Sequence, residues 1–439
     1  MKKKILIAIC LIISLFIFLK YAKDNRIWPF GSSISYKIPN SLKSFVYNLT
    51  EDKNKEIDTF VHNLKLSYYQ IPEHNFLTTG GAIKQLDNKN ILYVSENGEV
   101  YVFDLRKKKF IKNKDNLKEF NNIRDVEINN IKRKLSVVAI KEYDGNCGTI
   151  NLINYDFELI ENSIKLSNKE TIWESEKKCN GFRSKISGSR VVTIGDDYYL
   201  STGIFRGPIF SGIIPENFSQ RMDSSFGKII KINKKKEASI YALGFRNPQG
   251  LFKINNSEII FGTDHSSNGG DRINLINKGN NYAWPCISYG KLYRAYSKNW
   301  QEDVKKGVYP VIKKINNDVI YPTLKELEDY CDENNIYTDP IYAFSRGRVG
   351  ISQGIHYDNN YFKEFKDNII VATLAGRSLF RFILNDKKDR IISSEQIYIG
   401  NRIRDLEVTN DGKLVALTDN GFLIYIEDNN KKLSDWRAK

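Results

Sequence analysis

The stretch Ile91-Leu-Tyr-Val-Ser-Glu-Asn-Gly-Glu-Val-Tyr-Val-Phe103 reads as a β-hairpin. β-branched and aromatic residues flank Asn97-Gly98, a pair that accepts the positive φ angles of a tight hairpin turn. The same grammar recurs down the chain. Residues 135–140 lead to a turn at Asp144-Gly145 and return as 149–154. Residues 191–200 form a run whose return is delayed to 227–232. Residues 258–263 return as 272–276, and 368–374 turn at Ala375-Gly376 and return as 378–383. The last unit, 413–417, turns at Asp419-Asn420-Gly421 and returns as 422–426.

Six such units predict an all-β fold, a six-bladed β-propeller over residues 75–428. One small sheet cannot bury both of its faces, but a ring of sheets can. Two packed β-sandwiches are the rival arrangement. The interval between the fourth and fifth units is the longest and holds an acidic stretch, 324–335, with the character of a short helix. Insertions of this kind usually sit on one rim of a propeller.

The 439 residues carry a net charge of +15. The lysines are scattered among Asn, Ile and acids, with no basic helix and no zinc-finger spacing, so no nucleic-acid partner is expected. Lys2, Lys3 and Lys4 precede an apolar run over 5–19, and Lys20 follows it. Residues 1–22 therefore read as a signal peptide or a signal anchor, with the bulk of the chain periplasmic or otherwise extracytoplasmic. No A-x-A pattern follows, so an uncleaved inner-membrane anchor is the preferred expectation. Residues 23–74 read as a tether and lead-in, and 429–439 as a tail. Beyond Cys10, the cysteines are Cys147, Cys179, Cys286 and Cys331. They permit three pairings, of which Cys147–Cys179 with Cys286–Cys331 is the simplest.

One segment carries unusual chemistry: Tyr241-Ala-Leu-Gly-Phe-Arg-Asn-Pro-Gln-Gly-Leu251. Arg246 offers a rigid five-donor fork, and Asn247 and Gln249 each donate and accept. Gly244 and Gly250 allow backbone conformations closed to other residues. Such a loop suits an anionic or carbonyl-rich ligand, and it equally suits a polar turn between strands.

With this segment as its first clear landmark, the chain over roughly residues 75–428 resembles the glucose/sorbosone dehydrogenase family, six-bladed propellers that use pyrroloquinoline quinone (PQQ) and calcium. Gly244-Phe-Arg-Asn-Pro-Gln-Gly250 resembles the family's G-H-R-N-P-Q-G. Asp264-His-Ser-Ser-Asn-Gly-Gly-Asp-Arg-Ile-Asn274 resembles E-H-G-P-x-G-G-D-E-I-N. Asn281-Tyr-Ala-Trp-Pro285, Ile351-Ser-Gln-Gly354, Leu374-Ala-Gly-Arg377 and Arg402-Ile-Arg-Asp405 follow in family order. The resemblance implies a sugar or aldehyde substrate and an external electron acceptor. It also implies cofactor contacts from Arg246, Asn247, Arg402 and Arg404, with Arg377 standing in for a family lysine. Guanidinium forks suit the carboxylates of PQQ. Backbone carbonyls of Ser266 and Ser267 take the calcium positions, since calcium prefers oxygen ligands.

The pattern also departs from the family. Lys185 stands where the family has its catalytic histidine, and a solvated lysine is protonated at neutral pH. Ser266-Ser267 replaces a Gly-Pro pair, Phe245 replaces a histidine and Ile204 an acid. The four histidines are His62, His74, His265 and His356. None stands at the family's base position. Two functions follow: a PQQ-dependent dehydrogenase with Lys185 as base, or a non-catalytic propeller binding a saccharide, an anion or a partner protein in the same well.

Overall fold

The computed structural model describes residues 54–72, 81–120, 122–144, 147–179, 186–205, 218–266, 269–290, 314–315, 318–319, 336–344 and 349–429. Six antiparallel sheets form the blades of a closed ring. Blade 1 runs Ala82–Asp87, Asn90–Val94, Val100–Asp104, Lys109–Lys112 from axis to rim. The inner strands of the next four blades are Ile123–Asn129, Gly188–Ile194, Gly250–Lys253 and Ile351–Tyr357. Ile403–Val408 is the inner strand of blade 6, and each inner strand packs beside the next around the axis.

The hairpins read from sequence are the second and third strands of the blades, as in the pairing of Val94 with Val100 across the Asn97-Gly98 turn. These strands are buried on both faces, so their apolar runs are long. The reading of 191–200 as one run needs correction. It splits at Gly195 into an inner strand and the second strand Asp197–Thr202. Inner strands face the polar axis on one side, which dilutes their hydrophobic signal.

Ring closure is a second difference from the sequence reading. Residues 54–70 are not lead-in. Asn63–Gln70 pairs with the C-terminal strand Phe422–Asp428, and Asn54–Asp58 pairs outside it, making blade 6 five-stranded. An unpaired final strand would expose a row of backbone donors and acceptors, and the N-terminal strand saturates them. Leu64 and Leu66 are buried against Ile424, Ile426 and Leu414. His62 is buried there too. Its Nδ1 lies 2.8 Å from Asp428, and Phe362 and Phe365 meet its ring edge-on.

The core is a set of clusters between neighbouring blades, such as Leu92, Val94 and Val102 against Val126, Leu135 and Ile153. Each such side chain contributes ~1.5–3 kcal/mol by leaving water. Nearer the axis, side-chain acceptors stitch one blade to the next. The backbone N–H of Val191 donates to Asp125, that of Ile83 to Asp405, and that of Leu251 to Gln353. Cys147 and Cys179 are bridged. Cys286 is also disulfide-bonded, and Cys331 lies outside the described residues. The stretches 5–19 and 324–335 lie outside them as well. Among the described residues no helix is long and apolar enough to cross a membrane.

Candidate functional site

The Arg246 loop enters the inner strand of blade 4, and its two glycines explain how closely it packs. Gly244 has φ +84°, and a Cβ there would lie 2.4 Å from Asn281 Oδ1. Gly250 is needed for close approach, because its Cβ would meet Ser352 O at 2.5 Å. Phe245 lies between them in the core, stacked on Tyr282 with ring centroids 4.8 Å apart. Trp284 is buried, and its ring lies 5.7 Å from the Arg246 guanidinium.

Asp264 organises the loop from below. Its fully buried carboxylate accepts the backbone N–H of Asn247 at 2.8 Å and that of Arg246 at 3.2 Å. Arg272 compensates its charge and also donates to Tyr282 O at 2.6 Å. Asp271 accepts from Ser266 N at 2.9 Å and from Ile351 N at 3.1 Å, tying the next turn to blade 5.

The loop meets the Arg402–Arg404 strand end at the axis. Arg404 Nη1 donates to Gln249 Oε1 at 3.0 Å, and its Nε and Nη2 grip Asp419. Arg402 donates to Asp419 through Nε at 3.0 Å. Among the described residues its terminal nitrogens have no partner, and 43% of its side chain is exposed. The two arginines hold the Asp419 carboxyl below the usual range although burial opposes this. Burial is the larger single influence, and the guanidiniums together outweigh it.

The segment that follows Lys185 packs against the same loop. Asn247 Oδ1 accepts from Gly188 N at 3.1 Å, and Ile204 N donates to Arg246 O at 3.0 Å. Lys185 and Ser267 themselves lie outside the described residues. Arg377 sits at the hairpin of blade 5, where its carbonyl accepts from Ile399 N and Gly400 N, just ahead of Arg402. Ile204 is buried. The arginines, Asn247 and the segment from residue 186 onward are therefore brought to one end of the ring.

His265 is at that end as well. His356 is not, since it lies at the far end of its inner strand and accepts from Asn255 N at 3.3 Å. His265 Nδ1 lies 2.8 Å from Ser266 O, so Nδ1 carries the proton, because a carbonyl only accepts.

Two clusters along the axis were missed by reading the sequence. Arg190 donates to Asp125 at 3.0 Å, faces Asp405 at 3.3 Å, and donates to the carbonyls of Gln249 and Arg404, each at 3.0 Å. Burial works against its charge, and the Asp405 and Asp125 carboxylates overcome this and raise its pKa. Further along, Lys84 lies 3.0 Å from Glu127 and 3.4 Å from Glu407. Burial pushes the Glu407 carboxyl up to about 7, because Lys84 only partly offsets it and Glu127 adds to it. The signal was present: Ile123-Arg-Asp-Val-Glu-Ile128 and Ile403-Arg-Asp-Leu-Glu-Val408 are copies of one motif. Their aspartates clamp Arg190 and their glutamates clamp Lys84. Beyond Lys84 the axis opens into a cavity of about 360 Å³ lined by Glu127, Lys253, His356 and Glu407. It lies at the opposite mouth from the Arg246 loop.

The arginine end suits a planar carboxylate such as PQQ, because Arg402 still has donors to give and Gln249 sets Arg404 beside the loop. Calcium does not fit as arranged. Ser266 O accepts from Arg246 Nη1 at 3.0 Å and from His265 Nδ1, which together use both of its lone pairs.

A family model described as Glucose / Sorbosone dehydrogenase matches residues 82–322 and 309–425. The uncharacterized protein slr1608 of Synechocystis is 29% identical over 259 residues, 55% of this chain and 55% of that protein. Quinoprotein glucose dehydrogenase B of Acinetobacter calcoaceticus is 26% identical over 261 residues, 51% of this chain and 49% of the enzyme. The chain thus spans about half the length of the curated relatives it matches. A glucose dehydrogenase crystal structure superposes with a TM-score of 0.62 at 18% identity, over 83% of this chain and all of that one. The PQQ-bound aldose sugar dehydrogenase of Streptomyces coelicolor gives 0.54 at 14% identity, over 82% of this chain and 98% of that one. These likenesses speak for the fold. Taken with the family match across the ring, they establish that the chain belongs to the glucose/sorbosone dehydrogenase family.

Proposed function

We propose that this protein is a PQQ-dependent dehydrogenase that oxidises a CH–OH group of an aldose or a related alcohol or aldehyde outside the cytoplasm, held there by residues 1–22. The propeller proper takes in the strands from residue 54 onward, and 429–439 form a tail. The observation that carries the reading is the meeting of two distant motifs at the axis, with Gln249 of one bonded to Arg404 of the other. Oxidation of CH–OH to C=O releases one proton and one hydride. PQQ, when bound, supplies an ortho-quinone able to accept the hydride. Arg246, Arg402, Arg404 and Arg377 bind its carboxylates, and Asn247 adds a polar contact. Lys185 takes the hydroxyl proton, which requires its ammonium to lose its proton through burial or a neighbouring cation. An external acceptor then takes the electrons.

A second reading is favoured by Phe245 and Ile204, which are packed into the core where the family has a histidine and an acid. On that reading the well binds an anion or a saccharide without turnover. Mixing the full chain with PQQ, aldoses and a dye acceptor separates the two. Dye reduction that is lost in Lys185→Ala supports the dehydrogenase. PQQ absorbance changes without dye reduction would favour the binding protein, and no change in either would overturn the PQQ site.

A further inference from the structure

We infer that Arg246 itself supplies the cationic charge of the well, so that the protein binds its planar polycarboxylate ligand without a divalent ion. The inference rests on the PQQ reading above, and it parts from the calcium that the family resemblance implies.

Three observations lead to it. Arg246 is buried to 2% exposure, and its Nη1 donates to the carbonyls of both His265 and Ser266, at 2.8 and 3.0 Å. A guanidinium is thus seated on the oxygen where a metal ligand is expected. The Ser266 carbonyl has no lone pair left to offer, because His265 Nδ1–H takes the second at 2.8 Å. The nearby carboxylates are also engaged without a metal. Asp264 is compensated by Arg272, and Asp271 accepts from Ser266 N and Ile351 N and lies 3.9 Å from His265 Nδ1. A divalent ion sharing the Ser266 oxygen would stand beside a guanidinium, with Asp264 and Asp271, among the described residues, already engaged elsewhere. Cation–cation repulsion there is little screened.

Arg246 is held in place by more than its guanidinium. Its backbone N–H is fixed by Asp264 and its carbonyl by Ile204 N. The charge is therefore preorganised, and a ligand carboxylate or quinone oxygen meets a donor array that needs no assembly by metal.

The test is a titration of the full-length wild-type chain with PQQ, followed by PQQ fluorescence, in EGTA and in millimolar calcium. The expected result is saturable binding in EGTA, with calcium changing the Kd less than about twofold. Binding that calcium tightens tenfold or more overturns the inference and leaves the PQQ reading standing. No binding in either buffer overturns the PQQ reading and the inference with it. Calorimetric titration of the ligand-free chain with calcium alone gives a second readout, expected to show no uptake. Arg246→Met, checked for native circular dichroism, is expected to weaken PQQ binding in EGTA at least tenfold and to regain it with calcium. An Arg246→Met chain that binds as well as wild type in EGTA also overturns the inference.

Discussion

Two clamps lie on one axis and use one sequence motif, yet they differ in how closely they are sealed. Arg190 sits between Asp125 and Asp405, with all three side chains no more than 5% exposed. Lys84 sits between Glu127 and Glu407, where the carboxylates are 14% and 15% exposed beside an open cavity. The acids of the second pair sit two positions further along each strand, toward the mouth, and reach one methylene further. Both clamps set one cation against two carboxylates. The sealed one also ties down the carbonyls of Gln249 and Arg404, so it supports the arginine well above it. The open one has water at hand to share its charge.

The sharpest way to break this comparison is Arg190→Met. It leaves two buried carboxylates facing each other and frees two carbonyls. Removing one partner of a buried ionic cluster costs about 3–5 kcal/mol. Urea unfolding is expected to show a loss in that range, together with weaker PQQ binding, because Gln249 and Arg404 lose their shared support. A loss below about 1 kcal/mol would mean that the clamp is not structural.

Lys84→Met is expected to cost less, about 1–3 kcal/mol, since partly solvated carboxylates are cheaper to leave unpaired. It is expected to leave PQQ affinity unchanged. The same cluster gives the wild type a pH dependence. Glu407 has its pKa raised from 4.5 to about 7 in the fold, so between those values the native state binds more protons than the unfolded chain. Stability therefore falls as pH rises from about 4.5 through 7. Asp125, raised to about 6 by burial that Arg190 only partly offsets, adds in the same direction. Melting temperatures from pH 5 to 8 should decline, and Glu407→Gln should flatten the decline. A rise across that range would contradict the assignment.

The smallest expected effect on stability is that of Arg402→Ala. Its ion pair with Asp419 is 43% exposed on the arginine side, and Arg404 continues to hold Asp419. Unfolding free energy should change by no more than about 0.5 kcal/mol. PQQ affinity should fall about tenfold, in keeping with the loss of one charge-assisted contact. An unchanged affinity would remove Arg402 from the site.

The blades were legible because their middle strands are apolar on both faces and end in turn residues, as at Asn97-Gly98. Arg246, Asn247, Arg402 and Arg404 were legible only through their motif context, and the fold brings them to one end. Gly250 was read as a conformational need, whereas the structure makes it a matter of space beside Ser352. Arg190 and Lys84 were not legible as residues, because a lone basic residue in a strand gives no hint of two acids arriving from other blades; the only signal was the repeat of the acids themselves in 123–128 and 403–408.

By itself the sequence determined the repeat, most of the hairpin turns and the family, since these rest on local patterning and on motif order. Only the tertiary structure decided that residues 54–70 complete blade 6, because strand pairing across the whole chain has no local signature. Only it set Arg246 on the Ser266 carbonyl and paired the repeated aspartates and glutamates across the axis. Charge compensation in a buried ring depends on which side chains converge, and convergence is a property of closure.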